Sequence, residues 1–554
     1  MSDNEYRVFG PPGTGKTTFL STQVRKWSAE RGSDQLMLAS FTRTAAAEMA
    51  GRDLPLRREQ IGTLHSFAYR SLGLHRGQVA ESHIADFNAE HPAYRLSGGN
   101  NDPEDVSMSV GGNEGDQLMM QAQALRGQQT DVAWWPARVR WFHDAWNTWC
   151  SSNDLIDFTG MIELALQEVP AAPGNPSIGL FDEAQDFTPL ELALVRHWGE
   201  RMDTVLIAGD DDQCIYAFKG ASPDVFLDPP LPDSQKKVLS QSYRVPLAVH
   251  RVAQSWVEQL RRREAKEYAP RTENGEPVQG CVRILSAGAH MPEPLIDDVC
   301  AQAEAGRTVM ILATCGYVLQ PIVRRLRERA VPFHNPYRTK RGDWNPLAPG
   351  TAQRKMPVDR LLAYLRPDTD TWGDQARMWT WGEMQAWLDA LRSDGLLKRG
   401  AKTWLKGQTA NAVADYADAC ARLWADETSD AVHGLEQGDL DTFRQLLLAK
   451  RAAPYEFPLA VARTHGPQTL RKAPSVVVGT IHSVKGGQAD VVYVLPDMSA
   501  QGMAQWMDEY GRGERDNVIR QFYVGMTRAR EELVVCEGRM RSVPLDTWVR
   551  TKSA

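Results

Sequence analysis

Short apolar runs that stop abruptly at polar clusters recur along the chain, with longer stretches of helical spacing between them. Val8 and Phe9 drop into Gly10-Pro-Pro-Gly-Thr-Gly-Lys16-Thr17-Thr18. Ser177-Ile-Gly-Leu-Phe181 stops at Asp182-Glu-Ala-Gln-Asp186, and Thr204-Val-Leu-Ile-Ala208 stops at Gly209-Asp-Asp-Asp-Gln213. VMILAT (309–314), VVYVLP (491–496) and ELVVCEG (532–538) repeat the pattern later. Runs so short and so continuously apolar predict strands covered on both faces. Their alternation with helical segments predicts parallel, doubly wound α/β sheets.

Other stretches break this rhythm. Leu96 to Gln129 is rich in Gly, Asn, Asp and Gln and reads as a flexible loop or local disorder. WWPARVRWFHDAWNTW (134–149) sets Trp134, Trp135, Trp141, Trp146 and Trp149 at helical spacing beside Arg138 and Arg140. Such a stripe belongs to a core more often than to a nucleic-acid face. YRTKRGDWNPLAPGTAQRK (337–355) reads as a basic linker. TWGEMQAWLDALRSDGLLKRGAKTWLKG (380–407) has helical patterning and gathers Lys398, Arg399, Lys402 and Lys406 around Trp404. That patch reads equally as a nucleic-acid contact and as a solvated helix end.

With 554 residues the chain exceeds what one core can organise, so several domains are expected. No apolar stretch is long enough to span a bilayer, and the first residues lack a signal pattern. Seven scattered cysteines without a CxxC pair argue against a disulfide framework and a zinc site. A soluble, cytoplasmic protein of a bacterial or phage-infected cell, with no membrane partner, is expected. The net charge of −7 means that any nucleic acid must be held by local patches rather than by a whole-chain field.

Gly10 to Thr17 fits GxxxxGK[ST], with a strand before it and a helix after it. Glycines let the backbone curl so that N–H groups of Gly10, Gly13, Thr14 and Gly15 can surround phosphate oxygens, Pro11 and Pro12 shaping the curl without a donor of their own, and the helix N-terminus adds positive potential. Lys16 is expected at the β/γ-phosphates of ATP and the Thr17 hydroxyl at Mg²⁺. An Asp-Glu pair alone is more often a solvated loop. At a strand tip downstream of a phosphate loop, Asp182 reads as the second Mg²⁺ holder and Glu183 as the base for the attacking water. Gln213 is a candidate γ-phosphate sensor. Arg244 in QSYR and Arg528 in TRAR are candidates to reach phosphate, although each taken singly is more often a surface arginine.

In order, these runs resemble the superfamily 1 helicases of the UvrD/Rep/PcrA type. GPPGTGKTT (10–18) resembles motif I, ASFTRTAAAEM (39–49) the TFTNKAAAEM segment, and IGTLHSFAYRSL (61–72) the GTFHS segment. LIDFTGMIELAL (155–166) resembles the DFxxL helix, LFDEAQDFTPLE (180–191) motif II, AGDDDQCIYAFKGA (208–221) motif III and LSQSYRVP (239–246) motif IV. VVVGTIHSVKGGQADVVYV (476–494) resembles motif V and RQFYVGMTRARE (520–531) motif VI. The resemblance implies two RecA-like P-loop motor domains with parallel sheets and two mainly helical insertions. The first motor would comprise 1–75 and 153–238, with a reduced insertion at 76–152. The second would comprise 239–334 and 474–554, with a divergent accessory domain at 335–473. It further implies Arg244 and Arg528 as arginine fingers, Gln213 at the γ-phosphate and Tyr243 stacked on the base. Phe41, Thr42, Thr63, His65, Tyr216, Phe218, Thr480 and His482 would contact single-stranded DNA, where stacking on aromatic faces tolerates any base sequence. Without the resemblance, strand-adjacent aromatics such as these are usually core.

The departures lie on the base and sugar side. None of the nine residues before Gly10 is the glutamine with which relatives read adenine. Thr18 stands where relatives often carry Arg, and Gln488 replaces the glutamate that meets the ribose. Relaxed base selectivity, or a base held mainly by Tyr243 stacking, is therefore expected. The resemblance implies a DNA-stimulated ATPase that moves 3′ to 5′ on single strands and acts at junctions of single- and double-stranded DNA. Its rivals are a translocase that displaces proteins without separating strands and a nucleotide-gated DNA-loading factor. No acid cluster of a nuclease follows TRAR.

Overall fold

In the computed structural model the described residues are 4–97, 113–338, 344–351, 353–365, 379–508, 511, 513–539 and 541–553. Six strands, β1 (Glu5–Phe9), β2 (Leu36–Ser40), β3 (Ile61–Gly62), β4 (Ile178–Asp182), β5 (Thr204–Gly209) and β6 (Lys236–Val238), form one sheet. Its order is β3-β2-β4-β5-β1-β6, and all its pairings are parallel. The reason for the uniformly apolar runs is visible in the packing. Val8, Leu36, Leu38, Leu180, Leu206 and Ala208 point into one core. Their neighbours Phe9, Met37, Ala39, Phe181, Val205 and Ile207 point into another. With helices over both faces, period-2 alternation has no polar half to show. Parallel strands also bring all their C-terminal ends to one edge, where ligands of such sheets bind. Gly10, Asp182 and Gly209 meet there.

A short antiparallel hairpin pairs β7 (Thr272–Glu273) with β8 (Glu276–Pro277). A second six-stranded sheet contains β9 (Cys281–Leu285), β10 (Val309–Ala313), β11 (Phe333–His334), β12 (Val476–Thr480), β13 (Ala489–Val494) and β14 (Ala529–Cys536), in the order β11-β12-β10-β13-β14-β9. The pairs β11–β12, β13–β14 and β14–β9 are parallel. The expected α/β class with two parallel sheets is therefore present.

The chain divides into two compact units, one of residues 1–286, 312–316 and 480–554 and one of residues 287–311 and 317–479. The residues expected at the nucleotide and the aromatic and threonine candidates for single-stranded DNA all fall in the first, whereas the basic patch around Trp404 falls in the second. The second is mainly helical around Trp379, Trp387 and Trp424, whose rings pack against one another, Trp379–Trp387 at 5.2 Å between centroids. In its basic-aromatic patch, Lys398 and Lys402 donate to the carbonyls of Ala421 and Leu391, and Trp404 lies edge-on to Trp381. Two of the four cations thus hold the fold together.

Within 76–152 two expectations meet the structure. Residues 98–112 of the supposed loop lie outside the described residues, but Glu114–Gly127 is a helix, which corrects the loop reading for that part. Asn113 caps it by accepting from the Asp116 N–H, and Leu118, Met119 and Ala122 are buried along it. Polar composition misled because the apolar side chains that matter are few and lie on one face. The tryptophans of Ala137–Ser152 and its approach divide: Trp135, Trp146 and Trp149 are core, whereas Trp134 and Trp141 are 81% and 63% exposed.

Beneath this insertion lies a buried charge cluster. Arg126 donates to Asp157 at 2.5 Å and to both oxygens of Glu163, and Trp146 donates to Asp157 at 2.9 Å. Glu81, also buried, accepts from the Phe158 N–H at 3.0 Å. Burial, reinforced by the Asp157 charge, pushes the Glu81 carboxyl up to about 8. At neutral pH the folded protein therefore keeps a proton there that the unfolded chain releases near its ordinary value of 4.5. This group makes stability fall as pH rises from about 4.5 to about 8, with no further change above that window. Glu81→Gln, which keeps the acceptor for Phe158, is expected to flatten that part of the profile. Thermal melts of the two proteins from pH 5 to 9 should diverge by on the order of 1 kcal/mol per pH unit below 8; parallel profiles would show Glu81 to be ionised throughout.

Candidate nucleotide site and adjoining aromatic track

The loop after β1 is tied to the sheet by a Gly10 N–H bond to the Gly209 carbonyl at 2.9 Å. Thr14 closes the curl, its hydroxyl and its N–H both donating to the Pro11 carbonyl. Gly15 adopts a left-handed conformation, and the helix Lys16–Arg31 begins directly after it. Two glycines here are demanded by space. A Cβ on Gly10 would lie 1.9 Å from Lys16 Cγ. One on Gly13, whose φ is +74°, would lie 2.5 Å from Arg244 Cβ. Lys16 folds back over the loop, Nζ donating to the Gly10 carbonyl at 3.1 Å, with Glu183 Oε1 3.5 Å away.

β4 delivers Asp182 to the same edge, buried and accepting from the Glu183 N–H at 2.9 Å. Glu183 itself has φ 55° and ψ 34°, a left-handed conformation that costs of order 1 kcal/mol and clusters at functional sites. Its carboxylate lies between two ammonium groups, Lys16 and Lys485, the latter at 3.3 Å, and accepts from Gln185 at 2.8 Å. Burial pushes this carboxyl up, but Lys16 and Lys485 outweigh it and hold Glu183 well below the usual range. Lys485 also contacts Asp186, whose carboxyl burial drives to about 6, Lys485 opposing and Glu183 adding to the rise. Lys485 is a member of the site that sequence reasoning passed over. Its signal was the lysine of SVKGG, within a segment already singled out.

QSYR sits on the phosphate loop. Ser242 donates to the Pro12 carbonyl at 2.8 Å, and Tyr243 N–H to the Gly13 carbonyl at 2.8 Å. The Tyr243 side chain is 71% exposed, with its ring edge 3.9 Å from where a Cβ on Gly15 would stand. Arg244 is half-buried and donates to Gln488 Oε1 at 3.0 Å. Arg528 is buried, donating to the carbonyls of Val524 and Gly487 and to Gln213 Oε1 at 3.0 Å. Thr17 is half-buried at the helix start; Thr18 is exposed, and its hydroxyl accepts from Arg52 at 3.4 Å. Lys16, Glu183, Gln213, Arg244, Gln488 and Arg528 are thus gathered around one loop.

The aromatic candidates form a contiguous track beside it. Tyr216 is buried, with Phe41 at 5.1 Å, Phe218 at 6.0 Å and His482 at 5.9 Å between centroids. His482 Nε2 donates to the Ile215 carbonyl at 3.0 Å and Nδ1 accepts from the Gln521 amide nitrogen at 3.3 Å; burial pushes its imidazole down to about 4, so the ring is neutral near pH 7. Phe41 and Phe218 are half-buried. His65 stands apart, edge-on to Phe158 and 3.7 Å from Glu191. Thr42, Thr63 and Thr480 use their hydroxyls to accept from nearby backbone N–H groups of Ala45, Ser66 and Ser483.

A family described as AAA domain matches residues 2–219, and one described as UvrD-like helicase C-terminal domain matches residues 475–536. The two matches, with the relatives below, support a UvrD/Rep-like superfamily 1 helicase. It is 23% identical to the DNA helicase II of Salmonella typhimurium and, separately, to that of Escherichia coli, in each case over 96% of this chain and 82% of the relative. It is 25% identical to the ATP-dependent DNA helicase UvrD2 of Mycobacterium tuberculosis over 43% of this chain and 39% of that protein. In this UvrD/Rep-like chain the two matched segments carry the phosphate loop and acids on one side and Lys485, Gln488 and Arg528 on the other. Among the described residues no helix is long and apolar enough to cross a membrane, and no cluster of three or more metal-ligating side chains occurs.

Proposed function

We propose that this UvrD/Rep-like protein is an ATP-dependent DNA helicase that moves 3′ to 5′ on single-stranded DNA and separates strands at junctions. The observation that supports it most is the direct contact of Arg528 with Gln213, alongside Lys16 and Lys485 flanking Glu183. Lys16 and the loop N–H groups receive the β/γ-phosphates. Glu183, kept ionised by its two lysines, accepts the proton of the attacking water. Gln213 meets the γ-phosphate, and Arg244 and Arg528 stabilise charge in the transition state. Tyr243, exposed beside the loop, stacks on the base, and Gln488 holds Arg244. The Thr17 hydroxyl and Asp182 carboxylate are hard oxygen donors that fit Mg²⁺. Bound there, the ion would neutralise phosphate charge. Phe41, Tyr216, Phe218 and His482, with His65 and the threonines Thr42, Thr63 and Thr480, supply the strand contact. The 3′-to-5′ polarity rests on the family resemblance.

The deciding experiment measures phosphate release from ATP with and without single-stranded DNA, then strand displacement on duplexes with a 3′ or a 5′ tail. Stimulation with unwinding from the 3′ tail alone is expected. Stimulation without displacement would leave a translocase, and DNA binding without phosphate release a gated loading factor.

A further inference from the structure

Asp210, Asp211 and Asp212 are three consecutive carboxylates, and the fold buries all of them completely. Adjacent charges in a protein interior are tolerated only where cations meet them. The cations come from a segment some fifty residues on (the separation of Arg263 from Asp212 being 51). Lys266, 1% exposed, places Nζ 3.0 Å from Asp210 Oδ1 and 3.0 Å from Asp212 Oδ2 and also contacts Asp211. Arg263 donates to both oxygens of Asp212, at 2.9 and 2.6 Å. The Glu264 N–H donates to Asp211 Oδ2 at 2.9 Å, and Arg520 to the Asp211 carbonyl at 2.9 Å.

Asp210 joins this knot to the phosphate side twice: its N–H donates to Gln185 Oε1 at 2.9 Å, Gln185 in turn donating to Glu183, and its carboxylate holds Gln213. The other oxygen of Asp210, Oδ2, accepts from Gln213 Nε2 at 2.6 Å, and Gln213 Oε1 accepts from Arg528 at 3.0 Å. A glutamine amide has a donor end and an acceptor end. Turned round, Gln213 would set its oxygen against a carboxylate oxygen and its NH₂ against a guanidinium, so Asp210 dictates which end faces Arg528. Asp210 in turn is held by the ammonium of Lys266.

We propose that Lys266 is a positioning residue for hydrolysis: by pinning Asp210 it fixes the Gln213 amide so that Oε1 meets Arg528 and the γ-phosphate is read in one orientation. This rests on the nucleotide-hydrolysing reading of the site. Lys266 touches none of the loop residues expected at phosphate; it acts through Asp210 and Gln213.

The test is a mutant cycle on DNA-stimulated phosphate release. The charge-balanced pair Lys266→Met/Asp211→Asn, folded by its melting profile, is expected to lose about tenfold in kcat with the KM for ATP little changed. In a Gln213→Ala background the same pair should cause no further loss, because the group being positioned is gone. Should that pair fail to fold, Asp210→Asn, which removes one buried charge and keeps the volume, carries the same cycle. Wild-type kcat in the variants, or an equal loss with and without Gln213, overturns the positioning role while leaving the proposed function intact. An unaltered protein that hydrolyses no nucleotide overturns both.

Discussion

Glu183→Gln is expected to reduce DNA-stimulated ATP hydrolysis by about 10³-fold, the span a well-placed general base contributes. Glutamine keeps the volume and can still lie between Lys16 and Lys485, so the fold should stand. Removing the anion takes the carboxylate from Lys16 and leaves Lys485 with Asp186 as its acid, so the phosphate loop becomes more positive. Nucleotide should therefore bind at least as tightly as before, and the loss should fall in kcat. Titration with a fluorescent ATP analogue, set beside steady-state turnover, separates the two quantities. A kcat within about threefold of wild type would remove Glu183 from the chemistry.

Arg528→Ala should be the second large effect, and it should act twice. The guanidinium is buried and donates to Val524, Gly487 and Gln213. Its removal takes this donor from the Gly487 carbonyl and from Gln213 Oε1, each costing about 1–3 kcal/mol, while the Val524 carbonyl still accepts from the Thr527 hydroxyl. An arginine that stabilises phosphoryl-transfer charge is worth about 10³-fold or more in rate. Arg528→Lys distinguishes the two contributions. It keeps a buried cation, so the melting temperature should largely recover, but one ammonium cannot replace the forked donors and turnover should stay low. Recovery of turnover along with stability would make Arg528 a structural residue only.

How much of this could be read from the chain depended on whether the signal was local. The strand positions were legible because burial on both faces leaves no polar alternation, as in Leu180-Phe181 and Ile207-Ala208. The phosphate loop was legible because its glycines and Lys16 lie within seven residues, and the Gly10–Lys16 clearance shows why no other residue serves at Gly10; the neighbour that demands Gly13, Arg244, is distant in the chain. The helix Glu114–Gly127 was missed because its composition is polar and its buried face narrow. The tryptophan stripe was assigned to core as one body, yet Trp134 and Trp141 stand exposed. Periodicity shows that a helix has faces; it does not show which of them a neighbour covers.

The amino-acid order alone determined that two parallel sheets form and that a phosphate loop, an acid-bearing strand end and two arginine motifs exist, since each is a property of a few contiguous residues. Tertiary structure decided which distant side chains meet. Lys485 against Glu183, Gln488 against Arg244 and Lys266 among three aspartates join residues 54 (Lys266 to Asp212) to more than 200 positions apart. Such pairings carry no periodicity and no spacing rule. They arise when buried charges, brought together by strands folding into one edge, must find opposite charges or remain at a cost the fold cannot bear.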